Sequence, residues 1–407
     1  MEEKYLVMVD AIDNHNKFYK MMPDSSGTTF KVEYGRVGAR PATRVYPAHE
    51  FENKLQEKLR KGYKDQTNLH RTAQVILTTQ NKYKAIEDDE IRQLVDKMLS
   101  WADLVIKKNY TVSEDQVNQD AIDKAQSILN QLTTITNVSS FNRQLEKLFS
   151  VIPRAMKNVD EMLAAKPGDF AEIITREQAL LDTMAGKVTN IPSHTKNIGN
   201  SNSNSTILEA NGLEIRKCSS KEIKSIRDHL DPETNQRFLN AWHCENKETR
   251  KKFDEYIKAH KISKSGIKFY YHGSRNNCYW NIFRQGLKIR PTQKVTRAGK
   301  MFGTGLYFAP KAKKSVGYTD SGFWARRTGS ANYSNNTVLL MVFKVAMGKQ
   351  KDIHFWDSSC SLLDEKSVNR QGYDSVFAHE GRDLRNDECI VYNDDACTLS
   401  YIIELAN

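Results

Sequence analysis

The chain has 407 residues, 39% hydrophobic and 27% charged, with 61 Lys and Arg against 50 Asp and Glu. That length holds two or three compact domains, and no apolar run approaches the ~20 residues that cross a bilayer. The formal charge of +11 points to anionic partners, and the acidic start Met1-Glu2-Glu3-Lys4 does not match a basic-then-apolar secretion signal.

The first segment, 1–80, begins with alternation: Leu6, Met8 and Asp10 interleave with Tyr5, Val7 and Val9. A loop at Pro23-Asp24-Ser25-Ser26-Gly27 leads to a second alternating run, Phe30-Lys31-Val32-Glu33-Tyr34. Period-two alternation predicts strands. From Ala48 the period changes, and Phe51, Leu55 and Leu59 fall on one helical face. Strands with a covering helix make a small α+β module.

The second segment, 86–188, reads as helical throughout. Asp88-Asp89 can cap a helix bearing Ile91, Leu94, Val95, Met98 and Trp101. Further stripes follow at Ala121, Ala125, Ile128, Leu129 and Leu132, and at Ile173, Ile174, Leu180, Leu181 and Met184. Successive amphipathic helices predict a bundle. A polar linker, 189–205, rich in Asn and Ser, is too hydrophilic to bury.

The third segment, 206–407, has short apolar runs such as Val338-Leu339-Leu340-Met341-Val342-Phe343, separated by Gly- and Asn-rich turns. That texture predicts buried strands. Between positions 261 and 351 Asp320 is the lone acidic residue, so this lobe is strongly cationic and suits a phosphate-bearing substrate. The six cysteines lack CxxC spacing, which disfavours zinc, and are expected to be reduced thiols of an intracellular protein.

Four ordered pieces carry chemistry in this lobe: Tyr271-His272-Gly273-Ser274, Gly303-Thr304-Gly305-Leu306-Tyr307-Phe308-Ala309, Lys314-Ser315-Val316-Gly317-Tyr318 and Asn386-Asp387-Glu388-Cys389-Ile390-Val391-Tyr392. Gly303-Thr304-Gly305 is not GxGxxG, so a hydride-transfer dinucleotide site is disfavoured. The parts suit scission of the nicotinamide–ribose bond of NAD. Gly273 lets the backbone approach a carboxamide, Ser315 offers a hydroxyl, and Tyr307 and Tyr318 offer faces for a flat ring. His272 can bond a ribose hydroxyl, and Glu388 can face the oxocarbenium-like sugar.

In these motifs the third segment resembles the catalytic domain of the poly(ADP-ribose) polymerases. The resemblance implies His272, Tyr307 and Glu388 as the catalytic set. It implies His272, Gly273, Ser274, Lys288, Tyr307, Lys314, Ser315 and Tyr318 as the binding set for NAD, which is a substrate, with no metal. It also implies that the loop 290–301 flanks the dinucleotide. Lys288 stands where the family usually has Arg, and Cys389 where an aromatic is usual.

The first segment resembles the WGR domain of the same family through Tyr34-Gly35-Arg36-Val37-Gly38, with Tyr34 in place of the hallmark Trp. That likeness implies a DNA-end surface built from Tyr34, Gly35, Arg36, Arg40, Arg44 and Lys64. The second segment resembles the family's regulatory domain at Phe149-Ser150-Val151-Ile152-Pro153 and Leu180-Leu181-Asp182.

The expected fold class is therefore multidomain α+β: a WGR-type β module with a helix, an all-α regulatory bundle, and a mixed α/β ADP-ribosyltransferase fold with a split antiparallel sheet. The expected activity is DNA-break-activated polymerisation of ADP-ribose on proteins, including the chain itself. The expected compartment is the nucleus in a eukaryote or the nucleoid-bearing cytoplasm in a bacterium. A monomer is expected without DNA, with no membrane partner. A mono-ADP-ribosyltransferase or NAD glycohydrolase, and a non-catalytic DNA-end scaffold, remain open as alternatives.

Overall fold

The computed structural model describes residues 1–10, 13–67, 83–188, 205–290, 301–320, 322, 323, 325 and 336–407. The linker 189–205, except Ser205, and the loop 290–301, except its two end residues, lie outside the described residues. The chain divides into two compact units: Met1–Gln80 with Asp103–Lys196, and Asn81–Ala102 with Asn197–Asn407.

In the first unit, β1 (Lys4–Asp10), β2 (His15–Pro23), β3 (Thr29–Arg36) and β4 (Ala42–Pro47) precede helix α1 (Phe51–Arg60) and the short β5 (Lys64–Asp65). They form an antiparallel sheet in the order β4-β3-β2-β1-β5. Phe51 and Leu55 of α1 pack on Leu6, Tyr19, Met21, Phe30 and Val32. Each such apolar side chain contributes about 1.5–3 kcal/mol when fully buried. Leu6 and Val7 are both fully buried, although a half-buried strand alternates. The second face of β1 is covered as well, for Val9 packs against the helices that follow.

Those helices are α2 (Asp89–Asn109), α3 (Gln119–Leu132), α4 (Val138–Val151) and α5 (Phe170–Lys187). Asn118 and Asn137 cap α3 and α4, accepting from the N–H groups of Ala121 (2.9 Å) and Ser140 (2.8 Å). At their centre the guanidinium of Arg154 is paired with the buried Glu177 and lies 5.0 Å from the Tyr110 ring centroid. Helix α2 supplies residues to both units. Ile91, Leu94, Val95, Met98 and Trp101 join the core of the second unit, whereas Ile106 joins the helical core of the first.

The second unit carries two sheets. The first is β6 (Leu213–Lys217), β7 (Phe238–Asn246), β8 (Ile267–His272), β10 (Thr337–Ala346) and β14 (Cys397–Ala406), in the order β6-β7-β14-β10-β8, all antiparallel. The second is β9 (Leu306–Phe308), β11 (Gln350–Ile353), β12 (Ser375–Ala378) and β13 (Glu388–Val391), in the order β11-β12-β13-β9. Its β11–β12 pair is parallel, a departure from a purely antiparallel plan. The long connection between them, which includes helix 365–370, supplies the crossover that parallel pairing requires. Helices Ser220–His229 (α6), Lys247–Ala259 (α7), Tyr279–Gln285 (α8) and Ala312–Val316 (α9) complete what positions the site.

The interior strand β10 is buried on both faces, which explains its unbroken apolar run. Leu339, Met341, Phe343 and Val345 enter one core, and Val338, Leu340 and Val342 another. Edge strands β8 and β9 meet through Tyr271 and Ala309, whose backbones exchange hydrogen bonds of 2.9 and 3.0 Å. The two sheets are thus halves of one split sheet joined at this bridge.

Candidate active site

The cleft opens where the two sheets join. It has a volume of about 190 Å³ and is lined by His272, Gly273, Tyr307, Phe308, Ala309, Lys314, Ser315, Tyr318 and Glu388. Seven of these were expected from sequence.

Local folding explains how they converge. His272 ends β8, and its Nδ1–H donates to the Tyr307 carbonyl at 3.0 Å, so the imidazole tautomer leaves Nε2 as an acceptor. Burial holds its pKa below the usual His value, so the ring stays neutral. Phe308 and Phe343 flank it with ring centroids at 5.9 and 6.1 Å.

Gly273 follows, at a point where no side chain fits. A Cβ there would lie 1.8 Å from the Ser315 carbonyl oxygen. This close approach sets α9 against β8. Ser315 Oγ–H donates to the Tyr271 carbonyl at 2.9 Å, which leaves its oxygen lone pairs as acceptors for an amide.

Tyr307 is held at both ends. Its backbone accepts from His272, its hydroxyl donates to the Gly303 carbonyl at 2.8 Å, and the Phe302 N–H donates to that hydroxyl at 3.1 Å. Burial is the main cause that raises its pKa, so the phenol keeps its proton. Tyr318 is 39% exposed at the mouth of the cleft.

Glu388 opens β13. Ile390 pairs with Tyr307 in the sheet, so Glu388, two residues before Ile390, projects from the same face as Tyr307. Diagonal neighbours of this kind lie about 7–8 Å apart, enough to flank a sugar. Glu388 is 8% exposed, and its Oε1 stands 2.5 Å from Lys314 Nζ, which also donates to the Asn386 carbonyl at 3.0 Å.

Ser274 and Lys288 do not line this cleft; Lys288 lies 3.4 Å from Asp394. Phe308 and Ala309 line it without having been singled out, and their position directly after Tyr307 was the available signal. Asp320 was also missed as a structural element. It accepts from the Asn276 N–H at 2.9 Å and pairs with Arg275 at 3.3 Å, pinning the chain just beyond Ser274. Its isolation in a basic stretch was the clue. Among the described residues, the one cluster of metal-ligating type, Asp10, Asp13 and His15, belongs to the first unit.

In the first unit Tyr34, Arg40, Arg44 and Lys64 are exposed. Tyr34 pairs with Tyr19 across β3 and β2, with ring centroids 6.0 Å apart, and Lys58 lies 4.3 Å over the Tyr19 ring. Gly35 is partly buried. Arg36 is turned inward. Its guanidinium donates to the Asn14 carbonyl (2.9 Å), Asn14 Oδ1 (3.1 Å) and the Lys157 carbonyl (2.6 Å).

A split sheet whose junction gathers His, Tyr and Glu around one cleft defines an NAD-dependent ADP-ribosyltransferase. The model of the poly(ADP-ribose) polymerase catalytic domain matches residues 220–407, and that of the WGR domain matches residues 2–70. Uncharacterized protein 101L of Invertebrate iridescent virus 6 is 30% identical over 198 residues, 48% of this chain and 81% of that protein. Poly [ADP-ribose] polymerase 2-A of Oryza sativa subsp. japonica is 23% identical over an alignment spanning 97% of this chain and 68% of that protein. Poly [ADP-ribose] polymerase 2 of Zea mays is 23% identical over the same shares, 97% and 68%. The chain belongs to the poly(ADP-ribose) polymerase family, and NAD is its substrate.

Proposed function

We propose that the chain is a DNA-break-activated poly(ADP-ribose) polymerase that modifies proteins, itself included, and elongates the chains. The observation that carries this is the carboxylate of Glu388 beside Lys314, on the same sheet face as Tyr307 and in one cleft with His272.

Nicotinamide departs as a neutral base, so the leaving group needs no acid. The C1′–N1 bond breaks and its electron pair goes to the ring nitrogen. Glu388 stabilises the positive charge that develops on the ribose, and takes the proton of the attacking hydroxyl as the new C1′–O bond forms. Gly273 and Ser315 hold the carboxamide, Tyr307 and Tyr318 enclose the ring, and His272 accepts from a ribose hydroxyl through Nε2. Ser274 and Lys288 serve the adenosine side.

Tyr34, Gly35, Arg40, Arg44 and Lys64 contact a DNA end, the cations neutralising phosphates and Tyr34 stacking on the exposed terminus. Arg36 fastens this module to the 156–157 segment of the helices. The helical segment restrains the cleft until DNA selects a more active state. Helix α2 is the element through which such coupling would run, since its residues belong to both units. A DNA partner places the protein with the genome, in the nucleus of a eukaryotic cell. Without DNA the protein is a monomer.

The test is nicotinamide release from NAD with and without nicked DNA, together with gel migration of the protein. Strong stimulation and a long smear are expected. A discrete shift would remove elongation, and equal release with and without DNA would remove the activation step.

A further inference from the structure

A second cavity lies behind the catalytic wall. A groove of about 360 Å³ opens between α6 and the β8-β10-β14 face of the five-stranded sheet. Lys221, Ser225 and His229 of α6, Phe269 and Tyr271 of β8, and Tyr401 of β14 line it. Helix α6 packs Ile223 and Ile226 against the sheet without fully burying any residue. Two phenols hold it there: Tyr401 donates to Glu222 at 3.4 Å and Tyr271 to the His229 carbonyl at 3.3 Å.

The floor is aromatic and partly open to solvent. Phe269 is 52% exposed, its ring 6.3 Å from Tyr401, which in turn lies 5.3 Å from His243. An exposed Phe beside other rings is a stacking platform that accepts any flat base. Its flank is cationic. Lys344 Nζ lies 5.9 Å from the Phe269 centroid, and among the described residues no carboxylate forms an ion pair with it. Burial lowers its pKa, so an incoming anion would stabilise the ammonium. Of the acids nearby, Glu222 meets Arg216 at 2.7 Å, while Glu245 and Asp254 share Arg250 at 3.8 and 2.9 Å.

The groove and the catalytic cleft share a wall. Tyr271 and Pro310 line the groove, while their neighbours His272 and Ala309 line the cleft. The Tyr271 carbonyl also accepts from Ser315 on the cleft side.

We propose that this groove is a second adenine-nucleotide site, which takes an ADP-ribose unit with adenine stacked on Phe269 and the pyrophosphate against Lys344. The ligand class follows from an aromatic floor beside an unpaired cation, in an enzyme whose product carries both complementary groups. The inference rests on the ADP-ribosyltransferase assignment. Through the shared wall, occupancy of the groove alters NAD turnover in the cleft.

The test is calorimetric titration of the full chain with ADP-ribose, the probe that NAD cleavage cannot consume. Two equivalents are expected, one in the cleft and one in the groove. Phe269→Ala combined with Lys344→Ala should weaken one site at least 10-fold and spare the other. His272→Ala should do the reverse. A single equivalent that His272→Ala abolishes would overturn the groove site and leave the cleft assignment standing. Two equivalents unaffected by the Phe269/Lys344 double variant would overturn it as well. No binding at all would overturn both. If a single-stranded oligo(dA) protects the groove and ADP-ribose does not, the face is a nucleic-acid platform and the proposal fails.

Discussion

The Lys314 ammonium stands 2.5 Å from Oε1 of Glu388, with both side chains almost enclosed. Helix α9 brings the lysine and β13 the glutamate. Lys314 therefore fixes the direction of the carboxylate. Lys314→Met should lower kcat for nicotinamide release about 10²-fold, the scale of one positioned proton-transfer group. The KM for NAD should move much less. Lys314→Arg should recover part of the rate, and steady-state kinetics of the three proteins checks this.

Gly273 leaves no room for a methyl group, since a Cβ would meet the Ser315 carbonyl oxygen at 1.8 Å. Gly273→Ala should push α9 from β8 and cost about 1–3 kcal/mol, as overpacking does. The melting temperature should fall by a few degrees, and a benzamide probe of the nicotinamide pocket should no longer bind. Calorimetry and fluorescence titration read the two effects separately.

Arg36 ties the β-module to the 156–157 turn through the Met156 (3.4 Å) and Lys157 (2.6 Å) carbonyls. Hydrogen bonds from a charged donor contribute about 1.5–3 kcal/mol each when made and buried, less where solvent reaches them. Arg36→Ala should speed amide exchange at Val159, whose N–H is held by Asn14 Oδ1 at 3.0 Å, and should blunt stimulation by nicked DNA. Hydrogen exchange with mass spectrometry tests the first outcome, and nicotinamide release the second.

His272 is buried and its pKa is lowered chiefly for that reason. The unfolded chain takes up this proton near the ordinary value of about 6.5, the folded chain only at lower pH. The stability contributed by neutral His272 is therefore complete above about pH 6.5 and is lost as pH falls through the folded value. Thermal melts should show a decline on acidification that His272→Gln makes shallower. An equal slope in the variant would contradict the buried neutral ring.

Much of the cleft was legible in the chain because its parts sit at strand ends and turns whose residue types are unusual. Tyr307 sits within one short apolar run and Glu388 begins another, and such runs announce buried strands. The continuous Val338–Phe343 stretch announced a strand buried on both faces in the same way. Other features needed three dimensions. The pairing of Lys314 with Glu388 joins residues 74 positions apart, and nothing local ties a lysine in Lys311-Ala312-Lys313-Lys314 to that carboxylate. The attachment of Arg36 to the helical segment could not be read from its neighbours, because the Met156 and Lys157 carbonyls lie 120 and 121 residues on. Leu6 and Val7 read as the two sides of an alternating strand, and both are buried because helices cover the side expected to face water. The membership of α2 in both units was hidden for a related reason: one continuous amphipathic helix changes the core it serves between Ala102 and Asp103.

The most direct measurement is the automodification pattern of Glu388→Gln against the unaltered protein, with labelled NAD and nicked DNA. The substitution keeps the shape of the side chain but removes its charge and its capacity to take a proton. The account predicts a long labelled smear from the unaltered protein, and from the variant NAD binding without chain growth. Normal polymer from Glu388→Gln would contradict the central claim that this carboxylate performs the transfer.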